Sequence, residues 1–195
     1  MKKRILTISR EFGSGGRFIG KEVAARLGIS FYDRELIGKV MAETGFSRDF
    51  IENSGEYANG KSIFSYSFSP RDINGMSAED YLFRAQQKVI LEIAETEPCV
   101  IVGRCADYFL RDRDDVLDAF IFGNTKEKQA RIMRLYSRNE KEALFLMKDV
   151  DKKRAINYQY CTDRKWGELR NYDVALNTSR LGYDKCIDIL AEMMA

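Results

Sequence analysis

Short apolar runs alternate with stretches of helical period along the whole chain. Ile5 to Ile8, Ile29 to Tyr32, Cys99 to Val102, Ala119 to Phe122 and Val174 to Leu176 read as five β-strands. Between the first two, Ile19, Val23, Ala24 and Leu27 share one face of a helix over Arg17 to Leu27, and Gly28 follows where a left-handed cap is wanted. Ser77-Ala78-Glu79-Asp80 offers an N-cap with an acid three residues on, opening a long helix that Pro98 closes. Thr125 is expected to cap a second helix through about Arg138, and Asn139 to Glu142 resembles a capping box for a third through Tyr158. Cys186, Ile187, Leu190 and Met193 suit a last helix, Tyr183 to Met194, that packs back on the sheet. Strands alternating with helices predict an α/β fold with a parallel sheet.

Two stretches break this rhythm. Residues 57 to 76 alternate Ser with large side chains between glycines, and Asp163 to Arg170 mixes Trp166, Gly167 and charges; both read as lids flanking the sheet. The aromatic residues of the first, and Trp166 of the second, suit either stacking on a base or packing on the body.

Composition then narrows the chemistry. At 195 residues with 45% hydrophobic and 32% charged positions, the chain makes one ordinary domain with a sizeable core. Its 32 basic and 30 acidic side chains leave a charge of +2, against a dedicated binder of nucleic-acid polymers while leaving small anions open. Histidine is absent, which removes Ser-His and Cys-His nucleophilic systems and imidazole metal sites. Cys99, Cys105, Cys161 and Cys186 form no C-x-x-C pair and read as reduced thiols near the core. The apolar stretch after the basic start ends by Ile8, and no run approaches membrane-spanning length. A cytosolic protein without a membrane partner is expected.

The segment Ser9 to Arg17 joins the first strand to the first helix through Gly13, Ser14, Gly15 and Gly16. Glycines there let backbone N–H groups converge on an anion at a helix N-terminus, a phosphate-loop geometry. The literal pattern Gly15-x4-Gly20-Lys21 places Glu22 in the Ser/Thr slot, a carboxylate beside bound phosphate. Lys21 would stand about 7 Å up the helix axis at about 1.5 Å per residue, pointing away from the loop. The cradle is therefore expected at Gly13 to Arg17, with Gly16 in the lysine slot and Arg17, in the hydroxyl slot, supplying the missing charge. Two other readings are a tight turn in which Gly16 and Gly20 merely allow close helix packing, and a dinucleotide site with Asp33 on a ribose. Phe18 opposes the second, standing where a third glycine is needed.

The run Ile5-Leu6-Thr7-Ile8-Ser9-Arg10-Glu11-Phe12-Gly13-Ser14-Gly15-Gly16-Arg17, with Phe31 to Ile37, resembles the cytidylate kinase-like family. Val100-Ile101-Val102-Gly103-Arg104 is similar to its third-strand Gly-Arg motif, Asp151-Lys152-Lys153-Arg154-Ala155 to its Asp-x-x-Arg-Ala helix, and Asn171 to Ser179 to its closing strand and loop. The resemblance spans nearly the whole chain. It implies a P-loop NTPase-type three-layer sandwich: a five-stranded parallel sheet with helices on both faces, a helical insert for a nucleoside monophosphate over about 35–95, and a lid over about 148–171. It also implies ATP with Mg²⁺ as donor and a pyrimidine nucleoside monophosphate, CMP or dCMP, as acceptor. The chain departs from the family's Lys-Ser pair at Gly16 and Arg17, and at Cys105, where an Asp helps hold the nucleotide.

Phosphoryl transfer needs positioning and cations around the moving group. Arg17, Arg104 and Arg154 are therefore the expected catalytic cations, and Gly13, Ser14, Gly15, Gly16 and Arg17 the ATP-phosphate site. Asp33, Arg104, Asp151 and Arg154 are the expected acceptor site, with Asp151 on the cytosine amino group or ribose. Asp33 suits a magnesium-bound water or the cap of the next helix. Asp151 and Arg154 also suit a plain i,i+3 surface pair. Magnesium would sit between ATP phosphates, mostly on water, with no ligand set of the protein's own. Two other functions fit the departing loop: a nucleotide sensor without turnover, and a kinase of another small phosphate acceptor.

Overall fold

The computed structural model describes residues 3–33, 35–45, 47 and 72–195. Most of the serine- and aromatic-rich stretch lies outside them. In chain order the elements are β1 (Ile5–Arg10), α1 (Gly16–Leu27), β2 (Ser30–Tyr32), α2 (Glu35–Thr44), α3 (Ala78–Thr96), β3 (Cys99–Val102), α4 (Ala106–Phe109), β4 (Val116–Phe122), α5 (Thr125–Tyr136), α6 (Glu140–Thr162), a 3₁₀ turn (Leu169–Asn171), β5 (Val174–Asn177), α7 (Thr178–Leu181) and α8 (Tyr183–Met194).

The five strands pair in the order β2-β3-β1-β4-β5, all parallel. Their strict alternation divides the core in two. Ile5, Cys99, Ile101 and Val116 face Leu82, Val89, Ile90 and Ile93 of α3, Phe109 of α4 and Tyr158 of α6. Leu6, Ile8, Val100, Val102, Leu117, Ala119 and Ile121 face Ile19 and Val23 of α1 and Cys186, Leu190 and Met194 of α8. The result is the expected three-layer sandwich, whose central strands are buried on both sides and so read as continuous apolar runs. No helix among the described residues is long and apolar enough to cross a membrane.

The helix ends follow their local chemistry. Ser77 and Asp80 form a reciprocal capping box at α3, and Asn139 and Glu142 form one at α6. Gly28 closes α1 at φ 64°, its N–H donating to Ala24 and Ala25 carbonyls. Asn124, rather than Thr125, is the N-cap of α5, and Ser137 ends that helix in the left-handed region. The four cysteines are free thiols, three of them buried.

Trp166 packs edge-on against Phe120 at 5.4 Å between ring centroids, and Tyr172 lies 5.0 Å from the same ring. The stretch after α6 is thus seated on β4, and Trp166 takes the packing role rather than the base-stacking one.

Candidate active site

At the carboxyl edge of a parallel sheet, strand ends and helix N-termini converge, the usual ligand crevice of open α/β folds. Here β1 hands the chain to the loop 11–15 and α1. Gly13 and Gly15 adopt φ of 85° and 89°, a region side chains rarely enter. Space also demands glycine: a Cβ on Gly13 would stand 2.8 Å from the Lys128 carbonyl oxygen, and one on Gly15 2.5 Å from the Tyr183 ring. The first turn of α1 carries no acid, leaving its unpaired amides to an anion.

The loop is braced from three sides. Ser14, buried, donates its hydroxyl to the Glu11 carbonyl at 2.8 Å. Glu11 in turn accepts from Lys128 Nζ at 2.7 Å and from the Gly123 amide at 3.2 Å. Asp151 accepts from the Phe12 amide at 2.7 Å, and Arg154 Nη1 donates to the Arg10 carbonyl at 2.9 Å. The Asp-x-x-Arg pair of α6 is therefore no exposed surface pair. Burial pushes the Asp151 carboxyl up to about 6, against the pull of the Phe12 amide and Arg154.

Beyond this frame opens a cleft of about 490 Å³, within the size range of small-molecule sites. It is lined by Arg10, Arg17, Lys21, Arg104, Arg131 and Arg154 against the carboxylates Glu11 and Asp33. A chain with a net charge of only +2 thus gathers six cationic side chains in one cavity, which concentrates attraction for a polyphosphate. Phe12, Phe18, Leu135 and Tyr136 supply its apolar wall. At the rim the Arg131 guanidinium lies 4.8 Å over the Tyr183 ring, with Phe18 edge-on to Tyr183 at 5.9 Å.

Of the residues expected from sequence, Gly13, Gly15, Gly16, Arg17, Asp33, Arg104 and Arg154 all line this cleft. Arg104 follows β3 in a run of three left-handed residues, Gly103 at φ 77°, Arg104 at 61° and Cys105 at 55°. Two consecutive non-glycine residues there store strain, and the turn keeps the Arg104 side chain 8% exposed at the cleft wall. Its Nη1 is buried and donates to nothing among the described residues. Arg17 Nε donates to the Asp33 carboxylate across the mouth of the cleft. Asp33 thus pairs with Arg17 at the cleft.

The structure adds three placements. Asp151 is not among the described residues that line the cleft; its Oδ1 accepts from the Phe12 amide and lies 3.5 Å from Arg154, which suits it to positioning the loop. Ser14 turns its hydroxyl inward to Glu11. Lys21, placed up the helix and away from the loop by its axial rise, lines the outer part of the same cleft, because its long side chain extends toward the helix N-terminus. Gly20 does serve close packing, since a Cβ there would meet Ile8 Cδ1 at 2.9 Å. Sequence reasoning missed Arg10 and Arg131. Arg10 ends an apolar strand and passes for its polar terminus; Arg131 lies on an exposed-looking helix.

A cytidylate kinase-like family model matches residues 5–180. The chain belongs to the cytidylate kinase-like family. Among solved structures, an uncharacterized protein from Eubacterium ventriosum ATCC 27560 is similar at 28% identity and a TM-score of 0.75, covering 98% of each chain. Shikimate kinase from Bacteroides thetaiotaomicron shares 16% identity over 97% of each chain, with a TM-score of 0.53. Shikimate kinase from Acinetobacter baumannii, solved with shikimate, shares 14% over 98% of this chain and 93% of its own, also at 0.53. The two shikimate kinases share the fold, which is that of the P-loop kinases. No curated protein matches the chain.

Proposed function

We propose that the protein is an ATP-dependent phosphotransferase that moves the γ-phosphoryl group to a pyrimidine nucleoside monophosphate, CMP or dCMP. Family and fold support a phosphotransferase of the kinase class; the pyrimidine acceptor rests on the family's description alone. The observation that carries the reading is Arg104: a guanidinium 8% exposed, one nitrogen without a partner among the described residues, beside a glycine phosphate loop. A buried unpaired donor of that kind is costly unless an anion completes it.

In this reading the backbone of Gly13 to Arg17 cradles the ATP phosphates and the Arg131–Tyr183 stack borders the purine. Arg104 takes the acceptor phosphate, bidentate recognition being what its planar fork suits. Arg154, fixed by Asp151 and the Arg10 carbonyl, faces the transferring group between them. Arg17 swings from Asp33 to the phosphates as they arrive. These cations offset charge that spreads over the phosphoryl oxygens in transfer.

The two carboxylates among the described residues of the cleft are both paired with cations. Glu11 is tied to Lys128 and Asp33 to Arg17, and no cluster of three or more candidate ligands occurs among the described residues. Magnesium enters this account only as part of the nucleotide, on its phosphates and water.

The test is ADP formation from MgATP by the purified protein with CMP, dCMP, UMP, AMP, GMP or no acceptor. Selective turnover with CMP or dCMP is expected. ATP binding without turnover above the blank would favour a sensing protein, the reading that the missing loop lysine supports.

A further inference from the structure

The phosphate loop lacks its lysine, and a different cation, Arg10, stands at its other end. Its role there rests on the cleft being an ATP site. In the pattern G-x-x-x-x-G-K-[ST] the lysine reaches the β- and γ-phosphates. With Gly15 as the second glycine, Gly16 fills the lysine slot and Arg10 fills the slot of the first glycine. A charge is lost at one end of the loop and gained at the other.

These two positions share one volume. Gly16 begins α1 without the positive φ that would itself require glycine, so its backbone admits any residue. What excludes a side chain first is Arg10: a Cβ on Gly16 would stand 2.6 Å from Arg10 Cβ and 3.0 Å from its Cγ, with Ile121 Cβ next at 3.2 Å. Arg10 lies on the even-numbered face of β1, with Leu6 and Ile8, which turns it beneath the start of α1. There it is 6% exposed and lines the cleft beside Gly13, Gly15 and Gly16. In the ordinary loop a glycine at the strand end leaves room for a lysine stem at the helix start. In this chain the arginine stem takes that room and glycine yields it.

We infer that Arg10 is the loop's phosphate-binding cation, its guanidinium serving the β- and γ-phosphates of a nucleoside triphosphate in place of the absent lysine. The exchange replaces a mobile point charge with a planar fork of fixed donors. It also couples the site to α6, because Arg154 holds the carbonyl of the same residue at 2.9 Å.

The experiment measures equilibrium binding of ATP, and separately of inorganic tripolyphosphate, to the full chain and its variants, with thermal melts of each. Arg10→Met keeps the packed stem and removes the guanidinium; it is expected to weaken both ligands by about 10- to 100-fold. Arg10→Lys should recover most of that affinity. Gly16→Lys alone should weaken binding and lower the melting temperature, since its stem meets Arg10. The double variant Arg10→Gly with Gly16→Lys should bind ATP within about tenfold of the parent, a rescue that a merely structural Arg10 would not show. Parent-like binding by a folded Arg10→Met, or a folded double variant that binds no better than Arg10→Met, overturns the inference. A parent protein that binds ATP without turnover sinks the kinase reading and leaves this one standing; a parent that binds neither ligand sinks both.

Discussion

The amide of Phe12 donates to Oδ1 of Asp151 at 2.7 Å, tying the phosphate loop to a helix 139 positions later in the chain. One turn on, Arg154 reaches the Arg10 carbonyl and lies 3.5 Å from the same carboxylate. Helix α6 thus splints the loop at both ends. Asp151→Ala should lower kcat/KM for ATP by about 10- to 100-fold, since an unpaired buried amide and a loosened arginine both follow. Asp151→Asn keeps an acceptor for the amide and should lose much less. Protonating Asp151 removes the anion that Arg154 faces. With its carboxyl raised to about 6 by burial, turnover of the parent should fall to about the Asp151→Asn level as pH drops through 6, and that limb should be missing in Asp151→Asn. A pH–rate profile of both proteins checks this.

Arg104 is the sharpest single test of the proposed acceptor site. Arg104→Met should cut turnover by about 10²- to 10³-fold, the scale of losing one charge-stabilising donor, and should raise KM for the monophosphate more than for ATP. The melting temperature should hold or rise, because the change removes a buried donor with no partner among the described residues. Steady-state kinetics varied in each substrate, with a melt, decide it.

Arg17 and Asp33 make an ion pair whose arginine is 60% exposed, so it contributes little to stability. Arg17→Ala should shift the melting temperature by less than about 2 °C while lowering kcat by about tenfold or more. Asp33→Asn should spare kcat and tighten ATP, because it releases the guanidinium toward the phosphates. Turnover by Arg17→Ala equal to the parent's would remove that residue from the mechanism.

Far from the cleft, Asp118 sits within β4 and accepts from the Thr7 hydroxyl, and burial pushes its carboxyl up to about 7 despite that bond. An acid raised on folding gives its stability below its unfolded value, near pH 4, and loses it as pH climbs through 7. Asp118→Asn should therefore gain on the parent by about 1 to 3 kcal/mol between pH 5 and pH 8. Urea unfolding of both proteins at the two pH values measures the difference.

Asp118 also shows why β4 was only half legible. Its charge interrupts the apolar run, so the sequence pattern starts the strand at Ala119, whereas Thr7 on the neighbouring strand satisfies the carboxyl and the strand starts at Val116. Cys99 to Val102, with no such interruption, is legible to the residue. Helix ends read well where one side chain caps the backbone, as at Ser77 and Asn139, because capping is local chemistry.

The site divides along the same line. Gly13 and Gly15 could be read from the chain, because a left-handed turn writes itself as glycine. Arg104 could be placed from its strand end. That Asp151 braces the loop could not: the amide it holds lies 139 positions away, and i,i+3 spacing says nothing of what packs above it. Nor could the relation between Arg10 and Gly16, which is a matter of shared volume rather than of spacing.

The central claim, transfer of the ATP γ-phosphoryl to a pyrimidine monophosphate, is tested most directly by ³¹P spectra of the protein with MgATP and CMP. The account predicts that the CMP signal gives way to the two phosphate signals of CDP while ATP is converted to ADP in equal amount. ATP and CMP left unchanged beside protein that binds both, or ADP appearing with free phosphate and intact CMP, would contradict it.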